Sequence, residues 1–474
     1  MSRPQQLMNL ARRSLSALIA LVLRLEALVR RLRAELKELK NRLAQNSTNS
    51  GKPPSTDGLA KPAPKSLRKK SGRKPGGQEG HPGKTLQPVA QPDHTVVHAL
   101  DHCPCGHCPG RSLRREPVLD YEKRQVFELP TRLLAVTEHR AEIKRCPVSG
   151  LAVRAEFPPE IQAPAQYGPR FKAVQSYLNT EHFIPYDRLS RLTEDIFGQP
   201  LSPATVVSAN ERIYGHLAPF EKGLAERLVQ EALLHLDESG LRVGGKLHWL
   251  HVACTDQLTF YGVHPKRGVA AMDHFNILPR FHGWAMHDHF RPYLRYQECA
   301  HIFCNQHHLR ELKFQAEENG EVWAEAMSQF LLRQKQWRET YGLPNEWKFN
   351  QILREYHAMV AQGRRQHPRR KIRVAQSKAA NLLDRLEDYD LCVLAFLLDL
   401  HAPFTNNQAE QDLRMMKVRQ KISGGFRTLH GAQVFARIRS YTSTCRKQGR
   451  NILQALERAY LGDPFLVAAP AEGP

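Results

Sequence analysis

Leu15, Leu18, Val22, Leu25, Val29, Leu32, Leu36, Leu39 and Leu43 follow one another at spacings of three and four, giving nine consecutive apolar a/d positions. From Arg24 onward, Arg, Lys and Glu fill most of the positions between them. A period of 3.5 residues holds such positions on one face of a helix, so the pattern predicts a coiled coil over residues 1–46 and self-association through it. The alternative is one long helix packed on the body of its own chain. Arg12-Arg13 and the uncharged run 14–23 imitate a secretion signal, but the run has only ten residues, Arg24 and Glu26 follow, and the heptad passes through it. No other stretch approaches the ~20 apolar residues of a membrane span. A cytoplasmic protein with no membrane partner is expected.

Charge narrows the class of partner. The formal net charge is +22, and residues 1–90 hold 19 Lys/Arg against 5 Asp/Glu, so +14 of it lies in the first fifth of the chain. A basic arm on a more balanced body suits a nucleic acid, because phosphate contacts supply affinity without reading sequence; a solubilising tail is the bland alternative. Residues 47–95 read as a basic, Pro-rich linker. Within it Lys69, Lys70, Arg73 and Lys74 are the candidate DNA-backbone contacts. Only Cys103, Cys105 and Cys108 cluster among the nine cysteines, which argues against a disulfide scaffold and fits a reducing compartment.

Past the arm, residues 98–160 read as short strands around the cysteine cluster and 165–230 as helices. An amphipathic helix over 186–197 is closed by Gly198, and Ser202 with Pro203 opens a second helix through Glu211, a pairing compatible with a helix-turn-helix. The period then changes. A strand over 232–236 ends at Asp237, segments 246–254 and 258–263 form a hairpin, and a strand ends in Met286-His287-Asp288. A strand over 300–304 runs into a helix at 306–314. Residues 314–399 are charged and helical, and Thr405 precedes a helix over 407–418.

Three acids stand out: Asp237 and Asp288 at strand ends and Glu410 on a helix. Neighbouring strands of a sheet finish side by side, and a helix packed on that sheet can add a third carboxylate. Such a cluster repels itself unless cations bind, and hard oxygen donors suit Mg²⁺. Taken singly, each acid is also what a surface residue or a cap would be.

The segments NSTNSGKPPSTD (46–57), GGQEG (76–80), LDESG with KLHW (236–249), HDHFRPY (287–293), CNQHHLREL (304–312) and TNNQAE with KISGGFR and RKQGRN (405–451) stand in the order found in one family. Through them the chain resembles the insertion sequence 66 family of bacterial transposases over nearly its whole length. The resemblance implies an RNase H-like core in which Asp237, Asp288 and Glu410 are the catalytic metal ligands for two Mg²⁺ (or Mn²⁺) ions. It also implies DNA strand cleavage and transfer at element ends and target, accessory proteins of the same element, and a place on the nucleoid. The 122-residue separation of Asp288 and Glu410 then implies a helical insertion. The rival is a regulatory or inactive protein that binds element ends without catalysis; it has no need of the three carboxylates.

A zinc site is a further expectation. Cys105 and Cys108 form a CxxC and Cys146 lies 38 residues on, so these three are candidate zinc ligands with Cys103 or His107 to complete a tetrahedron. The family shows two CxxC knuckles here, whereas this chain has Ser149 at the last position; a degenerate module held by packing is the alternative. Cys304 and His307, a Cys-x-x-His pair, and Arg414, one turn after Glu410, are read as supporting residues, against a packed thiol, a hydrogen-bonded imidazole and a surface ion pair. The expected architecture is multidomain α/β: coiled coil 1–46, linker 47–95, zinc-finger-like module 96–160, helical DNA-binding region 161–228, RNase H-like core 229–313, helical insertion 314–399, and core completion with C-terminal helices 400–474.

Overall fold

The computed structural model describes residues 3–46, 49, 86–105, 107–108, 110–131, 133–369 and 376–467. Lys69, Lys70, Arg73 and Lys74, and most of the basic linker, lie outside the described residues. The chain falls into two compact units, one of residues 63–157 with 195–198 and one containing the rest. Among the described residues no helix is long and apolar enough to cross a membrane.

The heptad region is one helix, α1 (Arg3–Ala44). Its seam is not buried on the body of the chain: Leu18, Val22, Leu25, Val29, Leu32, Leu36 and Leu39 are each between 43% and 57% exposed, and Leu43 is 87% exposed. The small unit carries fewer strands than its sequence suggests. Two three-residue strands, β1 (Ile143–Arg145) and β2 (Ala152–Arg154), pair as a hairpin, and one isolated bridge joins His102 to Ser112.

Four helices open the larger body: α2 (Pro169–Thr180), α3 (Tyr186–Phe197), α4 (Pro203–His216) and α5 (Ala218–Val229). Gly198 ends α3 with φ of +67°, a region glycine enters without steric cost. Ser202 caps α4 by accepting a hydrogen bond from the Ala204 amide, with Pro203 at the first helical position.

A mixed five-stranded sheet follows: β3 (Leu233–Val243), β4 (Lys246–Cys254), β5 (Thr259–His264), β6 (Trp284–His287) and β7 (Ala300–Phe303), in the spatial order β5-β4-β3-β6-β7. The first three pair antiparallel as a meander, and β6 and β7 add parallel to β3, with α6 (Val269–Phe275) in the crossover. The expected hairpin is present as β4–β5. The strand expected to stop at Leu236 instead continues to Val243, so Asp237 lies inside the central strand rather than at its end. Asp-Glu-Ser-Gly disguises a strand because those residues are poor strand formers; here they are held by antiparallel pairing with Val252 to Trp249 of β4.

After β7 comes α7 (Asn305–Asn319), then α8 (Val322–Tyr341), α9 (Glu346–Gln366), α10 (Lys378–Asp388) and α11 (Asp390–Leu394). Trp323, Phe330, Tyr356, Leu383 and Phe396 give these helices a core of their own, joined to the sheet through Phe303 and to α7 through Leu312. The chain then returns through α12 (Asn407–Ser423), α13 (Leu429–Lys447) and α14 (Ile452–Leu461). Ala409, Leu413 and Met416 of α12 pack with Leu241, Val243, Leu250 and Val252 of the sheet. Leu234 and Leu236 join the core formed with α4, α5, α13 and α14. The two successive glycines at 424–425 serve this packing. A Cβ at Gly425 would lie 2.8 Å from the Arg242 carbonyl oxygen, and the Phe426 amide donates to that same oxygen at 2.8 Å.

Candidate active site

β3 and β6 set the first two carboxylates. Their parallel pairing joins Leu233 to Trp284, Leu234 to Ala285 and His235 to Met286. Continued by two residues, that register brings Asp237 level with Asp288, the first residue after β6. The Glu238 amide donates to Asp237 Oδ1 at 2.8 Å, and the Phe290 amide donates to Asp288 Oδ1 at 2.8 Å. Buried His287 holds the Asp288 carbonyl oxygen through Nδ1. Among the described residues each carboxylate therefore keeps an oxygen free of protein donors.

The third acid comes from α12. Glu410 stands in the first turn of that helix, where its amide donates to the Asn406 carbonyl at 3.2 Å. Burial, then the neighbouring Glu238, Asp288 and Glu410 carboxylates, drive the Asp237 carboxyl well above the ordinary carboxylate range; the Glu238 amide opposes them. The three predicted acids thus share one field. They do not form a group with all donor oxygens within 4.8 Å: Glu410 instead comes that close to Cys304 and His307.

Four further residues, Glu238, Arg267, Tyr293 and Asn406, build this site without standing out in the sequence. Glu238 is pinned from two sides, Oε1 accepting from Arg267 Nε at 2.6 Å and Oε2 from the Tyr293 hydroxyl at 2.6 Å. Arg267 also lies over the Phe290 ring, 4.0 Å from its centre. Burial and Asp288 raise the Glu238 carboxyl, and Arg267 and Tyr293 oppose them. Asn406 is buried and holds three segments: its Oδ1 meets His235 Nδ1 at 2.8 Å, its Nδ2 donates to the Leu236 carbonyl at 2.8 Å, and its amide donates to Cys304 Sγ at 3.2 Å. The alternation of strand residues is the signal that separates Asp237 from Glu238, since adjacent residues point to opposite faces.

Cys304 follows β7 at the N-cap position of α7, and His307 follows one turn in. Burial pushes the Cys304 thiol up to about 11 and the His307 imidazole below its usual value, the latter opposed by Asp288 and Glu410. Arg414 is exposed and forms no ion pair among the described residues. Lys417, half-buried on the same helix, is lowered by burial and held up by Asp237.

In the small unit the cysteine grouping differs from the expected one. Cys103, Cys105 and Cys108 gather with sulfur separations of 3.1, 3.2 and 3.3 Å. The loop carrying them is closed by the Cys103 amide on the Arg111 carbonyl at 2.8 Å and the Leu113 amide on the Asp101 carbonyl at 2.8 Å. Cys146 is not in that group. It sits at the β1–β2 turn, its amide donating to the Leu151 carbonyl and its carbonyl accepting from Gly150. Hydrogen bonds with Cys103 and Cys108 bring the Cys105 thiol down to about 6. Three clustered sulfurs fit a soft cation such as Zn²⁺, which takes thiolates and a fourth ligand.

Residues 164–434, more than half of the chain and a span containing all three acids, match the family model described as Transposase IS66 family. Residues 2–87 match a family of unknown function (DUF6444). No curated protein matches the chain.

Proposed function

The chain belongs to the IS66 family of transposases, and from that premise we propose that it cuts and rejoins the DNA of its own mobile element with Asp237, Asp288 and Glu410 as a DDE set. The observation that carries this reading is the meeting of three elements. Asp237 and Asp288 stand level on adjacent parallel strands, Glu410 projects from the helix packed on the central one, and the charges of Asp288 and Glu410 both act on Asp237. The strand order supports an RNase H-like core: the third, second and first strands of the sheet pair antiparallel, and the fourth and fifth add parallel to the first.

The residues fit a divalent pair. Asp237, Asp288 and Glu410 are hard oxygen donors, and among the described residues no Lys or Arg forms an ion pair with them. Their mutual repulsion is what a cation relieves. Two Mg²⁺ ions, or Mn²⁺, held by the three would activate the attacking oxygen, first of water and then of the freed 3′-hydroxyl, and stabilise the leaving oxygen of an in-line displacement. Glu238 is committed to Arg267 and Tyr293, so its part is to hold the Asp237 backbone in place. Asn406 aligns the start of α12, and with it Glu410, on β3.

DNA is the partner, drawn by the basic arm and read by the α3–α4 pair. The exposed seam of α1 joins copies of the chain so that two element ends are paired, with accessory proteins of the element as further partners. Asp237→Asn, Asp288→Asn and Glu410→Gln should each reduce cleavage of element-end DNA in Mg²⁺ to background while gel-shift affinity is kept. Full cleavage by any one of the three removes that residue from the set.

A further inference from the structure

We propose that Cys304, His307 and Glu410 form a three-ligand site for a borderline-soft divalent cation, Zn²⁺ above all, and that its occupation withdraws Glu410 from the two aspartates. The existence of the site is independent of the reading above; the inhibition that follows from it rests on that reading.

Three elements deliver the donors. Cys304 follows β7 at the N-cap position of α7, and His307 lies three residues on, hence on the same side of that helix. Glu410 comes from the first turn of α12, and the amide of Asn406, the residue before that helix, donates to Cys304 Sγ at 3.2 Å. The beginnings of α7 and α12 are thereby tied together. One sulfur, one imidazole nitrogen and one carboxylate oxygen lie within 4.8 Å of one another.

Ordinary packing explains Cys304, a buried thiol that accepts a backbone hydrogen bond. It leaves His307 without an account. Among the described residues His307 Nδ1 is buried with no hydrogen-bond partner, and no hydrogen bond joins the ring to Glu410 despite their proximity. A buried nitrogen without a partner costs free energy unless something binds it. A cation beside Glu410 and Cys304 would satisfy it.

The donor set selects the ion. Mg²⁺ takes oxygen ligands and keeps its waters, whereas sulfur and imidazole together favour Zn²⁺ or Co²⁺. Three protein ligands with an open fourth position is the composition of zinc sites that bind a further ligand. Because Glu410 belongs to both sets, a filled Cys304–His307–Glu410 site and a complete carboxylate set exclude each other. Zinc would then hold the protein in a state that does not cut.

The test uses the full chain carrying Cys103→Ser, Cys105→Ser and Cys108→Ser, so that the loop thiols contribute nothing, and titrates it with Co²⁺. One ion per chain should bind with a thiolate-to-cobalt charge-transfer band that Zn²⁺ abolishes and excess Mg²⁺ does not. Adding Cys304→Ser should remove the band. His307→Ala should weaken Co²⁺ binding by at least about 100-fold, since even the loss of an outer-shell partner costs 10–100-fold. Circular dichroism confirms that each variant folds, and His307→Ala keeps the test valid if Cys304→Ser does not fold. No band before the Cys304 substitution, or a band surviving it, overturns the site. In parallel, Zn²⁺ is titrated into end cleavage at fixed Mg²⁺. Inhibition should be relieved in His307→Ala relative to its own zinc-free rate, and equal inhibition of both proteins overturns the exchange of Glu410. Should Glu410→Gln cleave normally, the DDE reading fails while the cobalt band still decides the site.

Discussion

Asp237 and Glu238 are consecutive carboxylates in a central strand, and their surroundings treat them differently. Glu238 is met by a guanidinium and a phenol, while Asp237 receives one backbone N–H and faces other acids. In the sequence Asp237 stands out as the acid at an expected strand end and through a resemblance, whereas nothing in LDESG assigns Glu238 its partners, which lie 29 and 55 residues away. Asn406 was overlooked for a related reason. Before a helix it reads as a cap, yet its side chain makes no cap hydrogen bond and reaches to β3 instead. Asn406→Ala would leave the His235 ring nitrogen and the Leu236 carbonyl without partners in the interior. At about 1–3 kcal/mol for each of the two orphaned groups, chemical denaturation should show a loss of about 2–6 kcal/mol. A loss no larger than that of an exposed substitution would mean that the two groups find other partners and that Glu410 is positioned by packing alone.

At the scale of elements, legibility followed contrast between segments. The β4–β5 hairpin, the start of α4 and the start of α12 were readable because alternation, a Ser-Pro pair and a Thr-Asn-Asn turn stand against their surroundings. The second half of β3 was not, since its polar residues serve a site rather than a core. The strands expected around the cysteines reduce to β1 and β2, because single valines and leucines there have no facing sheet to bury them: Val148 and Leu119 are exposed. The β3–β6 junction carries a requirement visible only in three dimensions. A Cβ on Gly283 would lie 2.5 Å from the Ala232 carbonyl oxygen, the acceptor of the Trp284 amide that starts the parallel pairing. Gly283→Ala must therefore push β6 off β3. Overpacking of this kind costs about 1–3 kcal/mol, and cleavage should fall as well because Asp288 no longer stands level with Asp237. Wild-type stability and activity in this variant would show that the junction relaxes without moving the aspartates. A chain lacking residues 1–45 tests α1 in turn. Light scattering at matched concentration should show loss of self-association, and an unchanged mass would place any oligomer contact elsewhere.

For the whole molecule the dominant quantity is charge and where it sits. If the first 90 residues, with their excess of +14, lie along DNA phosphates, removing them should flatten the dependence of binding on ionic strength. Each phosphate neutralised contributes about 0.9 to the log–log slope on duplex DNA, so losing five contacts lowers the slope by about 4–5. Sequence preference should survive better than affinity. Base edges are read by structured elements inserted in a groove, and α3 and α4 offer such a pair, whereas phosphate contacts only position. The arm and α1 are separable here: removing residues 1–45 takes the seam and part of the charge, removing 1–90 takes both in full. Affinity for element-end and scrambled duplexes across a salt series, for the full chain and both shortened forms, distinguishes them. A slope that drops mainly on loss of 46–90 assigns the phosphate contacts to the Lys65–Lys74 neighbourhood, which includes Lys69, Lys70, Arg73 and Lys74. Equal slopes for all three proteins would make the segment a solubilising tail and move the DNA contacts to the body around the sheet.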